Sequence, residues 1–187
     1  MARIIALCGP KRSGKDTVTN VIMDRLCMTY NMKHVKIADP LKQICKILFQ
    51  FTDEQLETDM KEEIDPKWGI SPRMAMQKLG TDILQYKIEE VLPIRTERQL
   101  LVRAMNIQPQ SNTIYVVSDM RFPHEYDYLS RICPCKVIRV ERPDYTMNDM
   151  HASEQSWNHV PYNHKILNDG SINDLHAKVE EILPFII

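Results

Sequence analysis

Apolar positions along the chain fall into short dense runs separated by stretches with helical spacing, the pattern of strands alternating with helices. Arg3-Ile4-Ile5-Ala6-Leu7-Cys8 reads as a buried strand. After a turn, Val18, Val21, Ile22 and Leu26 share one helical face with Arg25 at its edge, predicting a helix over about 14–31. Val35 and Ile37 alternate with His34 and Lys36 as a short second strand. Pro40 suits the first turn of a helix continued by Leu41, Ile44, Cys45, Leu48 and Phe49. Residues 52–71 are polar, acidic and proline-containing, a less regular connection with one short helix.

Ser71-Pro72 marks the clearest helix start, with serine as N-cap and proline at the first position. In that helix Met76, Leu79 and Ile83 form an apolar stripe, and Arg73, Gln77 and Thr81 a polar one at spacing four. A further helix is predicted over 96–106. Thr113-Ile114-Tyr115-Val116-Val117-Ser118-Asp119 is a buried strand ending in an acid. Residues 122–131 are helical, and Lys136-Val137-Ile138-Arg139-Val140 is another strand. Residues 141–162, polar and aromatic with two prolines, read as a mobile loop. His164-Lys165-Ile166-Leu167 is the last strand and 172–182 the last helix. Five strands in this alternation predict an α/β fold of three layers, α/β/α, with a mainly parallel five-stranded sheet and helices on both faces.

A length of 187 residues, 43% of them hydrophobic, suits one domain over 1–187 with its own core. The formal charge of -1 offers no polyphosphate-binding surface, so no nucleic-acid partner is expected. The five cysteines, with no C-x-x-C pair, read as free thiols of a reducing cytosol. The first strand begins too early for a signal peptide, and no apolar stretch reaches the roughly eighteen residues that cross a bilayer. A cytoplasmic protein without a membrane partner is expected.

The chemistry centres on Gly9-Pro10-Lys11-Arg12-Ser13-Gly14-Lys15-Asp16-Thr17, placed between a strand and a helix. This is the P-loop arrangement, in which backbone N–H groups, a lysine and a helix N-terminus cradle a phosphate. Lys15 is expected on the β- and γ-phosphates and Thr17 at the α-phosphate. Asp16 replaces the usual Ser or Thr, so it would serve Mg²⁺ indirectly or complement the helix dipole. Asp119 is Walker-B-like and could hold Mg²⁺ through water; as an alternative it caps a helix or pairs with Arg121. Arg121 suits the bridging of donor and acceptor phosphates, or a plain ion pair. Lys11 would lean toward an acceptor phosphate and Arg12 toward ATP, unless both are a solvated loop face. The Arg73, Gln77, Thr81 stripe offers a phosphate or base clamp. His151 and Glu154 order their loop or bind a sugar. The absence of an N-K-x-D motif and the cations beside the loop favour a small-molecule kinase over a GTPase or a motor.

Six segments occur in a fixed order: GPKRSGKDT, Asp39-Pro40-Leu41-Lys42, RMAMQKLGTD from Arg73, SDMRFPHE from Ser118, His151-Ala152-Ser153-Glu154 and Asn168-Asp169-Gly170-Ser171. In these the chain resembles the deoxynucleoside monophosphate kinases of T-even-type bacteriophages and their viral relatives. The resemblance implies a P-loop kinase fold and transfer of the ATP γ-phosphate to a 2′-deoxynucleoside 5′-monophosphate, with Mg²⁺. By position it implies Arg12, Ser13, Gly14, Lys15, Asp16 and Thr17 for ATP, with Lys15, Asp16 and Arg121 catalytic. It implies Lys11, Leu41, Lys42, Arg73, Gln77, Gly80, Thr81, Asp119, Glu125 and Glu154 for the acceptor, and Asp16 with Asp119 for Mg²⁺ through water. An acceptor-binding helical region at about 52–106, a lid-like loop at about 142–160 and a homodimer belong to the same expectation. The alternatives are a phosphomevalonate kinase-like enzyme, similar in the K-x-S-G-K-D loop, and a non-catalytic P-loop nucleotide-binding module.

Overall fold

The computed structural model describes residues 1–88, 99–143 and 151–187. The start of the helix expected over 96–106, and most of the lid expected before residue 151, lie outside the described residues. Two compact units emerge: Met1–Lys36 with Asn106–Ile187, and Ile37–Met105.

The first unit is built on a five-stranded sheet of β1 (Arg3–Cys8), β2 (Asn31–Val35), β3 (Thr113–Met120), β4 (Cys135–Glu141) and β5 (His164–Leu167). Their order is β2-β3-β1-β4-β5 and every pairing is parallel. The chain leaves β1 through α1 (Lys15–Leu26) to reach β2 on one side, and leaves β3 through α6 (Pro123–Ile132) to reach β4 on the other. Right-handed crossovers in opposite directions place these two helices on opposite faces. Ile5, Leu7, Ile114, Val116, Ile138, Val140 and Ile166 form a buried cluster with Val18, Val21, Ile22 and Leu26 of α1 and Leu175, Val179 and Ile186 of α8 (Ile172–Ile186). Alternation sends Ile4, Ala6 and Val137, also fully buried, to the other face.

Between β1 and β3 the register shifts: Ala6 pairs with Val117, but Cys8 pairs with Met120. One extra residue is accommodated in β3 at Ser118-Asp119, which re-aims the acid at the carboxyl edge of the sheet. The strand therefore closes at Met120 rather than at Asp119.

Several boundaries depart from expectation for physical reasons. The first helix stops at Leu26, because the N–H groups of Thr29 and Tyr30 turn back onto its carbonyl. The second strand is Asn31–Val35, and Ile37 falls outside it. As an edge strand paired on one side, β2 needs little apolar alternation. The last helix runs on through Pro184 to Ile186, whose fully buried side chain anchors the final turn. Residues 151–160, expected as loop, contain α7 (Ala152–Gln155) and a 3₁₀ turn (Ser156–His159), with Ser153, Glu154 and Val160 buried.

The second unit holds α2 (Asp39–Phe49), α3 (Asp53–Glu57), a 3₁₀ turn (Asp59–Glu62), α4 (Pro72–Gln77) and α5 (Leu100–Ala104). Thr52 and Gln55 form a capping box for α3, and Ser71 Oγ accepts the Met74 N–H at 3.2 Å to start α4. Beyond Gln77 the helix widens into a π-helical segment, Lys78–Lys87. Its wider turn, with i→i+5 hydrogen bonds, buries Gly80, Thr81, Leu84 and Gln85, following Ala75 of α4. The expected Met76, Leu79, Ile83 stripe is displaced, leaving Ile83 44% exposed. At Gly80 a Cβ would lie 2.6 Å from Leu41 Cδ2 and 3.7 Å from Leu101 Cδ1, so this glycine lets α2 pack closely. Gly80→Ala should lower stability by about 1–3 kcal/mol in urea unfolding, and Leu41→Val should recover part of the loss. An undiminished midpoint for Gly80→Ala would show that Leu41 moves aside freely.

Candidate active site

The loop after β1 takes its shape from two glycines. Gly9 has φ 139°, and a Cβ there would stand 2.1 Å from the Val140 carbonyl oxygen of β4. Gly14 has φ 102°, with a Cβ position 2.7 Å from Asn168 Nδ2 and 3.2 Å from Leu175 Cδ2. Both positions combine a left-handed backbone with backbone or packed side chains at close range, which glycine alone satisfies. Asn168, immediately after β5, donates from Nδ2 to the Ser13 carbonyl at 3.0 Å, while its own N–H donates to Glu141 at 2.7 Å. The loop is thus tied to the ends of β4 and β5.

Lys15 opens α1 and folds back over the loop. Its ammonium donates to the carbonyls of Gly9 at 3.0 Å and Pro10 at 2.6 Å, and reaches Ser13 Oγ at 3.5 Å. Burial, then the nearby Arg121 guanidinium, pull its pKa down to about 8, against the opposing pull of Asp16 and Glu154. Asp16 is exposed in the first turn of α1, where its charge complements the helix dipole. Thr17 and Lys11 are half-buried and Arg12 is exposed.

At the carboxyl end of β3, Arg121 donates from Nη1 to the buried Glu154 carboxylate and, at 3.3 Å, to the Ser153 carbonyl. Glu125 lies beneath this turn, accepting the N–H groups of Arg121 at 2.7 Å and Phe122 at 3.0 Å. Burial pushes its pKa up to about 7, with Asp119 adding to the rise, although the two N–H donors favour the ionised form. His151 caps α7, its Nδ1 accepting the Ser153 N–H at 3.3 Å and lying 2.9 Å from Ser153 Oγ. In the first unit, then, Asp16, Arg121 and Glu154 come within electrostatic reach of Lys15, and Arg121 pairs with Glu154.

In the second unit, Lys42 donates to Glu57 at 2.7 Å and Arg73 to Glu62 at 2.7 Å. Leu41 and Gly80 are in contact. Thr81 is buried, whereas Arg73 and Gln77 are half-buried, so the three members of the expected polar stripe differ in exposure.

The family model for deoxynucleotide monophosphate kinase matches residues 46–179. That span excludes the P-loop, so the match and the loop are independent observations. The chain belongs to the deoxynucleotide monophosphate kinase family. By that membership it is a kinase. A protein of Acanthamoeba polyphaga mimivirus, named provisionally as a deoxynucleotide monophosphate kinase, is 30% identical over 94% of this chain and 93% of its own length. The deoxynucleotide monophosphate kinase of Enterobacteria phage T4 is 25% identical over 97% of this chain and 98% of its own. Among solved structures, a Mycobacterium tuberculosis APS kinase covers 98% of this chain and 97% of its own with a TM-score of 0.49 at 9% identity, too distant to bear on chemistry.

Two residues near the loop or in the neighbouring strand are not marked as structural supports by the sequence. Asn168 stood in a recognisable segment, but nothing local showed that its amide braces the loop. Arg139 was visible as a cation inside an otherwise apolar strand, the one signal it offered. Among the described residues no cluster of three or more metal-ligating side chains occurs, and no helix is long and apolar enough to cross a membrane.

Two pH predictions arise from this geometry. A bound phosphate group would restore the Lys15 ammonium, so nucleotide binding at pH 9 should take up a substantial fraction of a proton and at pH 7 almost none. Calorimetry in buffers of unequal ionisation heat reads this directly, and equal proton uptake at both pH values would contradict it. Glu125 has a folded pKa above its ordinary 4.5, so its contribution to stability is fully present below that pH and is lost as pH rises through about 7. Glu125→Gln should flatten the stability curve between those limits and leave the protein at least as stable as the parent at pH 8. Parallel curves would rule out Glu125 as the titrating group.

Proposed function

We propose that the protein transfers the γ-phosphate of ATP to a 2′-deoxynucleoside 5′-monophosphate, giving ADP and the diphosphate. The observation that carries this is Lys15 held on the Gly9 and Pro10 carbonyls, with Arg121 near enough to depress its pKa, in a chain of this family. Phosphoryl transfer asks the protein chiefly to position two oxygens in line and to neutralise the spreading charge. Lys15 would exchange its carbonyl partners for the β- and γ-phosphates, while the loop N–H groups around Ser13 and Gly14, with Arg12 and Thr17, hold the rest of ATP. Arg121 would stabilise the transferring group. Glu154 holds its guanidinium in place, and Glu125 holds its backbone.

The acceptor falls to Lys11, Lys42, Arg73, Gln77 and Thr81, with Leu41 and Gly80 shaping the contact surface. Lys42 and Arg73 rest on Glu57 and Glu62, and an incoming phosphate dianion would compete with those carboxylates. The oxygen donors suit Mg²⁺, which needs one or two carboxylates besides nucleotide phosphates, so no larger cluster is required. Asp16 and Asp119 would hold it through water, and when bound it would neutralise charge on the phosphates. The substrate would be free nucleotide in the cytoplasm, since a formal charge of -1 provides no nucleic-acid surface.

A coupled ADP-release assay across dTMP, dGMP, dCMP, dAMP and phosphomevalonate tests this reading. At least one deoxynucleoside monophosphate should raise ADP release about tenfold or more above the rate with water, and phosphomevalonate should not. Lys15→Ala should reduce turnover by roughly 100-fold or more. Arg73→Ala should raise the acceptor KM far more than the ATP KM. ADP release indifferent to every acceptor would defeat the proposal.

A further inference from the structure

We propose that Arg139 is a positioning residue that sets the Glu154–Arg121 pair. Arg139 lies inside β4, paired in register with Cys8 of β1 and Lys165 of β5, between Ile138 and Val140, both fully buried. Arg139 is half-buried, and its buried Nε makes no hydrogen bond, so Nη2 and the faces of the guanidinium carry its contacts. Its Nη2 donates to the carbonyls of Asn158 at 3.0 Å and Val160 at 2.8 Å. Its guanidinium carbon stands 4.1 Å from the centre of the Tyr162 ring and 5.7 Å from that of Trp157. One side chain therefore gathers four points of residues 157–162, two carbonyls through one nitrogen and two rings through the planar face that lysine lacks.

That segment is continuous with α7. The 3₁₀ turn Ser156–His159 follows Gln155 directly, and Ser156 Oγ donates to the Ala152 carbonyl at 2.8 Å. Fixing residues 157–162 thus fixes the roll of α7, which carries Ser153 and Glu154 to Arg121. The contacts of Arg139 given above are with residues 157–162, none of them proposed to bind a substrate. Its effect on chemistry runs through Glu154, because a misplaced carboxylate releases the guanidinium from its working geometry. This step rests on the reading of Arg121 given above; the hold of Arg139 on residues 157–162 does not.

The test is a double-mutant cycle with Arg139→Met and Glu154→Gln. Each single variant should lower kcat about tenfold with an ATP KM within about threefold of the parent, and the double variant should be no worse than about twofold beyond the weaker single. Arg139→Lys, which keeps the charge but has no planar face to stack on the two rings, should fall between. If Arg139→Met does not fold, Arg139→Lys runs the same cycle. Multiplying effects, or kcat unchanged in the Arg139 variant, would overturn the proposal. A readout independent of activity is acrylamide quenching of Trp157 in a Trp68→Phe background, since the chain has 2 tryptophans. Quenching should increase when Arg139 is replaced, and unchanged quenching would equally overturn the proposal. A parent protein without acceptor-stimulated ADP release would defeat the proposed function instead, leaving the quenching result to decide whether Arg139 holds the segment.

Discussion

The structure depends on a buried ammonium that has exchanged water for the carbonyls of its own loop. Lys15 bonds to Gly9 and Pro10 with Arg121 close by, an arrangement that depresses its pKa to about 8. Two cations drawn together in a partly desolvated place repel each other, and the repulsion is relieved when an anion arrives. The carbonyl oxygens act as placeholders: they satisfy the ammonium's donors but cannot match the charge of a phosphate. On the proposed function, the loop would be preorganised for a polyphosphate before one binds, which is the main service a phosphoryl-transfer site can render.

Everything near the loop serves to keep that arrangement rigid. Gly9 is pressed against β4, and Gly14 against Asn168 and α8, so the loop's own glycines and its neighbours together set its path. Glu125 anchors the Arg121 backbone, Glu154 its guanidinium, and Arg139 the segment that brings Glu154 there. A bulge at the end of β3 directs Asp119 to the same edge. The residues proposed for phosphoryl transfer in the first unit thus gather where β1 and β3 end, as expected of an open parallel sheet.

The central strands and the loop were legible in the sequence for the same reason: both obey strict local rules. β1, β3 and β4 are covered on both faces and read as near-continuous apolar runs, while phosphate binding demands its glycines and lysine at fixed spacing. Edge strand β2 lacks the first constraint, and its boundary was misread. The π-helical segment is invisible in the sequence because no residue type marks a change from i+4 to i+5 bonding, yet the segment buries Gly80, Thr81, Leu84 and Gln85 in place of the expected Met76, Leu79, Ile83 stripe. Residues 151–160 read as loop because their order comes from long-range partners, Arg121 and Arg139, that local pattern cannot reveal. Glu125 was legible as a candidate, but its bonds to two backbone N–H groups, which make it a support for Arg121, were not.

The most direct test of the account is a crystal structure of the protein with an unreactive ATP analogue and a deoxynucleoside monophosphate. The account predicts that Lys15 Nζ leaves the Gly9 and Pro10 carbonyls for the β- and γ-phosphate oxygens, while the Arg121–Glu154 pair and the Asn168–Ser13 bond persist. A bound nucleotide with Lys15 still on its loop carbonyls, or with its phosphates away from residues 9–17, would contradict it.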